Sequence, residues 1–162
     1  MHLFDANTFM EAQRTYYPID LMPGFWEWLK EAHGNGDLAS VKAVYDEILG
    51  GKKEDELVKW AKSMPPSFWL PDTAESLASV RQIGEWATDP ARPYNDAAKA
   101  EFMDSADLRL IARAHVLKAT VVSRETSAPD AKKRIKIPDV CAAFGVSCSQ
   151  PFPVYRLLGM KP

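Results

Sequence analysis

The run Ala119-Thr120-Val121-Val122-Ser123-Arg124-Glu125 constrains the fold more than any other stretch of this 162-residue chain. It is β-branched and apolar, then turns polar, the pattern of a buried strand that ends at a sheet edge. Just before it, Leu108, Ile111, Ala112, Ala114, His115 and Leu117 recur at helical spacing. A helix that feeds a buried strand implies a crossover, and crossovers join parallel strands. The start of the chain repeats this in shorter form. His2-Leu3-Phe4 ends in Asp5, and a helical pattern begins two residues later.

Between these points the alternation continues. Asp5 or Asn7 can cap the first helix, which Tyr16-Tyr17-Pro18 closes. Pro23 sits at a first helical position, and the apolar face of Phe25, Trp26, Trp28 and Leu29 runs to about His33. Asp37 to Ser40 reads as a strand or a cap, followed by a helix over 41–49 and another over 54–63. Pro71-Asp72-Thr73 starts a helix reaching about Thr88, and 89–95 is a loop. Asp104-Ser105-Ala106-Asp107 caps the periodic helix described above. Ile135-Lys136-Ile137 has the pattern of a short strand, and helices follow from Pro138 to Phe144 and from Pro153 to Leu158. Strands alternating with long helices predict an α/β architecture with a mostly parallel sheet.

The length fits one domain, residues 1–162, and 46% hydrophobic with 26% charged residues is an ordinary globular balance. No apolar stretch approaches a membrane span, and no basic segment precedes an apolar run as in a secretory leader. Cys141 and Cys148 lack metal-ligand spacing, so both read as structural or incidental, with a cytoplasmic setting the default. The charge is uneven. Residues 1–104 carry 10 Lys+Arg against 18 Asp+Glu, and residues 105–162 carry 10 against 4. There is no G-x-G-x-x-G and no Walker phosphate loop.

Ligands of parallel sheets bind beyond the carboxyl ends of the strands. Asp5 ends the first strand; Ser123 and Glu125 end the clearest one. Asp107 starts the helix that feeds it, and Glu47 lies on a packing helix. Four carboxylates converging on one cleft repel one another and call for a hard cation, and an all-oxygen donor set points to Mg²⁺ or Mn²⁺. Such a cation suits phosphodiester hydrolysis. Each acid also has a plain structural reading: a cap for Asp5 and Asp107, a solvated residue for Glu47, a loop residue for Glu125.

These motifs resemble those of the PIN-domain nucleases. HLFDANTF is similar to their first motif, Val44 to Ile48 to the helix with their second acid, Ser105 to Ala114 to their third, and Val121 to Glu125 to their fourth. The resemblance covers nearly the whole chain, in order. Tyr16-Tyr17-Pro18, Pro23 to Leu29 and Lys136 to Cys141 further resemble a PIN-like branch of unknown function associated with bacterial toxin–antitoxin pairs. It implies a three-layer α/β/α fold and a Mg²⁺- or Mn²⁺-dependent ribonuclease, the toxin of such a pair. It implies catalytic Asp5, Glu47, Asp107 and Glu125, with Asp5, Asp107 and Glu125 on the metal. Two departures stand out. Glu125 replaces the commoner Asp, with Asp139 as a rival, and Asp46 adjoins Glu47. One residue turns a helical side chain by about 100°, so only one of that pair faces the cleft.

Asn7 and Ser123 are supporting candidates, and Arg109, Arg113, Lys132, Lys133 and Arg134 are candidates for RNA phosphate contacts. His115 reads as a core residue. Most of the five Trp read as core, but Trp26 and Trp28 lie about 200° apart on their helix. That suggests one of them serves a homodimer or a small antitoxin. Two rival readings exist. One is a PIN-like RNA- or protein-binding regulatory module without turnover. The other is a haloacid-dehalogenase-type phosphatase, which the run Asp5-Ala6-Asn7-Thr8 fits poorly because it lacks the second acid.

Overall fold

The computed structural model describes residues 1–53 and 55–161. Its centre is a parallel sheet of β1 (His2–Phe4), β2 (Leu38–Val41), β3 (Trp69–Leu70), β4 (Thr120–Val122) and β5 (Cys148–Ser149), in the spatial order β3-β2-β1-β4-β5. Every pairing is parallel. From β1 the chain builds outward through β2 and β3, then returns to the other side of β1 for β4 and β5. The order therefore reverses between β1 and β4, and the crevice beyond their carboxyl ends is where a fold of this kind accepts ligands. The register pairs Phe4 with Val122, so Asp5 and Ser123 emerge side by side.

The helices are α1 (Ala6–Glu11), α2 (Pro23–Gly34), α3 (Lys42–Leu49), α4 (Glu56–Ser63), α5 (Ala74–Thr88), α6 (Asp96–Asp104), α7 (Ala106–Leu117), α8 (Ile137–Ala143) and α9 (Pro151–Leu157). Pro23 opens α2 as expected. Thr73 and Ser76 close a reciprocal capping box at the start of α5. The helix expected from Glu54 begins at Glu56; Glu54 itself lies outside the described residues. Helix α6 was not anticipated. Asn95 caps it by accepting from the Ala98 N–H, but only Ala98 and Phe102 are buried along it, too few to show a helical period. The short strand expected at Ile135 to Ile137 is absent, because Ile137 opens α8 instead.

The architecture is α/β/α. Helix α7 lies against β1, β2 and β4, with α5 packed on its outer side. Elsewhere the core is aromatic. The Phe4 ring stands 5.7 Å from Phe9 and 6.1 Å from Tyr155, and Phe9 lies 5.3 Å from Trp60. The expectation that α2 leaves one Trp for a partner does not hold. Trp26 is 3% exposed and Trp28 is 9% exposed. Trp26 meets Trp60 of α4 at 4.8 Å and donates its Nε1–H to the Tyr17 carbonyl at 2.7 Å. On the other side of α2, Trp28 meets Tyr155 of α9 at 5.6 Å. A helix clasped from two sides buries both rings, so the reason for an interface there is gone. His115, expected in the core, is only half-buried, with its Nδ1 2.8 Å from the Ser79 hydroxyl. No described helix is long and apolar enough to cross a membrane.

Candidate active site

Asp5 is the hub of the crevice. It follows the last residue of β1, and its backbone N–H donates to Val122 O at 3.1 Å, carrying the ladder one step past the strand. Its Oδ1 accepts from the Thr8 N–H at 2.7 Å, which makes Asp5 the N-cap of α1. Its Oδ2 accepts from the Ser123 hydroxyl at 2.7 Å. Ser123 in turn accepts from the Glu125 N–H at 3.1 Å. Capping and site membership thus coexist in one residue. The carboxylate is 1% exposed, and burial pushes its pKa up to about 6 although the Thr8 and Ser123 bonds pull the other way.

Asp107 occupies the second helical position of α7, after the N-cap Ser105, so it is not itself the cap. Burial pushes its pKa up to about 7. Repulsion from Asp5, Glu125 and Glu47 adds to this, while Arg134 opposes it. The four expected acids therefore share one electrostatic environment centred on Asp107. Burial also raises Glu47, on the outer side of α3. Asp46 pairs with Lys42 in solvent, and Glu47 is the member of that pair whose charge acts on Asp107, although both line the same groove.

Glu125 is engaged differently. Its Oε1 accepts from Arg134 Nη2 and its Oε2 from the Ile137 N–H, each at 2.7 Å. Gln150 Nε2 donates to its carbonyl at 3.0 Å. The rival acid, Asp139, is turned to another task. It accepts from the Ser127 hydroxyl and from the Ala128 N–H at 2.9 Å, which ties down the loop after β4. Between Glu125 and Asp139, Glu125 is the acid that acts on Asp107.

The other candidates divide. Asn7 is exposed. Arg109 pairs with Asp72, and Arg113 donates to Thr73 Oγ1 at 3.0 Å, so both brace the start of α5. Lys132 and Lys133 are exposed beside Arg134. An open groove of about 770 Å³ adjoins the site, lined by Asp46, Glu47, Glu101, Asp104 and Arg109. Its excess negative charge repels phosphate unless a cation intervenes. Thr8 was overlooked, although a residue three places after a helix-capping Asp is a readable signal. Ile137 and Gln150 act through contacts that no local pattern announces.

The donor chemistry of Asp5, Asp107, Glu47 and Glu125 fits a hard divalent cation, since every donor is a carboxylate oxygen and their mutual repulsion favours a positive guest. Among the described residues, however, no three His, Cys, Asp or Glu side chains form a ready-made metal shell. The ion pair of Glu125 with Arg134 accounts for this in part, because it already sets a competing cation on that carboxylate.

The sequence model of one family, described as a domain of unknown function (DUF4411), matches residues 2–161. No curated protein matches the chain.

Proposed function

The chain belongs to the DUF4411 family, and from the site it carries we propose a Mg²⁺- or Mn²⁺-dependent ribonuclease with a PIN-like fold. The observation that carries this reading is the position of Asp107. It lies half-buried in the field of Asp5, Glu125 and Glu47, with Arg134 as the opposing charge. Asp5 and Asp107 would hold the cation, joined by Glu125 on its release from Arg134. The cation would offset charge at the phosphate and make an attacking water more acidic. Ser123 and Thr8 fix both oxygens of Asp5, so that carboxylate keeps one orientation whether or not it is ionised. Arg134, Lys132 and Lys133 flank the Glu125 side and would meet substrate phosphates. The assignment as a cytoplasmic toxin with a small antitoxin partner rests on the PIN-like sequence motifs alone.

The test is cleavage of single-stranded RNA by the purified chain with Mg²⁺ or Mn²⁺, against a chelator control. Asp5→Asn and Asp107→Asn should each lower the rate by on the order of 10³-fold, the loss expected when several kcal/mol of charge stabilisation disappears. Undiminished cleavage by Asp107→Asn would end the proposal. A regulatory module without turnover is favoured by one observation, the double hold on Glu125. Under that reading RNA binds, but neither wild type nor Arg134→Gln cleaves it with Mn²⁺.

A further inference from the structure

Three surfaces remain to be accounted for. The acidic groove beside Glu47 belongs to the site already described. An apolar hollow on the β3 edge, lined by Tyr45, Trp69 and Met64, carries nothing to say what fills it. The third surface goes further. A five-residue π-helical turn, Ala12–Tyr16, continues α1 beyond Glu11. Turns of this kind are rare and concentrate at functional sites. This one sets Tyr16 at the surface, 39% exposed. Phe152 of α9 meets the Tyr16 ring edge-on, with centroids 5.4 Å apart and planes at 90°. The Arg124 guanidinium lies 4.8 Å from the centre of the Tyr16 ring and 5.8 Å from that of Phe152. Glu11 Oε2 holds the same guanidinium at 2.7 Å from its Nε.

This cluster is tied to the carboxylates from both sides. Arg124 stands between Ser123, which bonds Asp5, and Glu125. Glu11 ends the short helix that Asp5 caps. Arg14 and Arg156 are exposed on the same two segments as Tyr16 and Phe152. An exposed Tyr16 ring, backed on one face by the Arg124 guanidinium and edged by the half-buried Phe152, is the chemistry that takes a nucleobase: its free face offers a stacking surface, and neighbouring positive charge follows the phosphates. A paired base keeps its faces within its own helix, so such a platform suits an unpaired strand.

We propose that Tyr16, Phe152 and Arg124 form a base-stacking subsite for single-stranded RNA, one step along the strand from the phosphate positioned at Asp5. The site takes an unpaired nucleobase and presents the flanking phosphodiester to the carboxylates. It rests on the reading of RNA as substrate but not on turnover.

The experiment uses the full chain with Ca²⁺ in place of Mg²⁺ or Mn²⁺, so that the carboxylate charge is offset while the looser coordination of Ca²⁺ suppresses cleavage. A single-stranded oligoribonucleotide carrying 2-aminopurine reports stacking by quenching, and an end-labelled copy reports affinity by anisotropy. Wild type should quench the probe. Tyr16→Ala should weaken binding by about tenfold and lose most of the quenching, in line with the usual worth of one stacked base. Tyr16→Phe should restore both, and Phe152→Leu should lose quenching while circular dichroism stays native. The same sequence as a duplex should quench little. Binding and quenching by Tyr16→Ala equal to wild type would overturn the subsite, as would equal losses in Tyr16→Phe and Tyr16→Ala, or absence of RNA binding by wild type. If metal-dependent cleavage is absent but these responses hold, the nuclease reading falls and the subsite stands. If cleavage needs Asp107 but Tyr16→Ala binds normally, the reverse is true.

Discussion

Asp5 and Asp107 sit in one crevice under opposite regimes. Asp5, at the end of β1, is the more deeply buried, yet its pKa rises only to about 6. Two hydrogen bonds, from Thr8 and Ser123, stabilise its charged form and offset much of the desolvation. Asp107, at the start of α7, rises to about 7. It has the favourable end of a helix dipole but also three carboxylate neighbours. Depth of burial alone would rank the two the other way round. Burial is the leading cause for both acids; the hydrogen-bond donors beside Asp5 and the carboxylates around Asp107 then set the difference between them.

The largest effect should come from removing the less supported charge. Both folded-state values lie above the ordinary carboxylate range, so the folded protein retains protons that the unfolded chain has released. The stability linked to Asp107 is full below about pH 4 and is lost as pH rises through about 7. Asp107→Asn should therefore raise stability at about pH 8 by about 3 kcal/mol and change little below about pH 4. Urea melts at the two pH values check this; an equal shift at both would mean that Asp107 is not strained by charge.

Ser123→Ala attacks the support of Asp5 and should act in the opposite direction. It should cost about 2 kcal/mol at about pH 8, where Asp5 is ionised and needs a donor, and less at about pH 5. A pH-independent loss would reduce Ser123 to a packing residue and erase the contrast.

Divalent metal should narrow the gap between the two acids by serving both. Mg²⁺ or Mn²⁺ at tenfold its dissociation constant should stabilise wild type by about 1.4 kcal/mol, and Asp107→Asn should lose that gain. Thermal shifts read it, and an identical response in both proteins would remove the metal from the site. The smallest change belongs to Arg134→Gln. The ion pair is half-exposed on the Arg134 side, so its loss should cost no more than about 1 kcal/mol. Glu125 is then released and Asp107 loses its opposing cation, so the metal-induced shift should grow. A shrinking response would make Arg134 part of the cation's support rather than its competitor.

Legibility in the sequence follows the range of the forces involved. The strand at Val121-Val122, the stop at Pro18 and the Pro23 start were readable, because each depends on residues within a turn or two. β3 and β5 were not, since two-residue strands have no period to read. Asn95 and Asp96 resembled the preceding loop and hid the start of α6. At the site, all four acids were nameable from position along the chain. Their inequality was not: nothing local says that Glu125 meets Arg134 and Ile137, or that Arg113 meets Thr73 across 40 residues.

The sequence by itself determined the α/β class and the strand-end position of Asp5, with Thr8 three residues on to bond it. It also determined the reversal of polarity at Ser123. These are consequences of backbone sterics and hydrogen bonds that close within about four residues. Only the tertiary structure decided that Ser123 stands beside Asp5, through the pairing of Phe4 with Val122. It also set Glu47 rather than Asp46 in the field of Asp107, and buried Trp26 and Trp28 alike between α4 and α9. Desolvation and charge repulsion sum over every neighbour within several ångströms, whatever its distance along the chain, and those neighbours exist only once the sheet has closed its register.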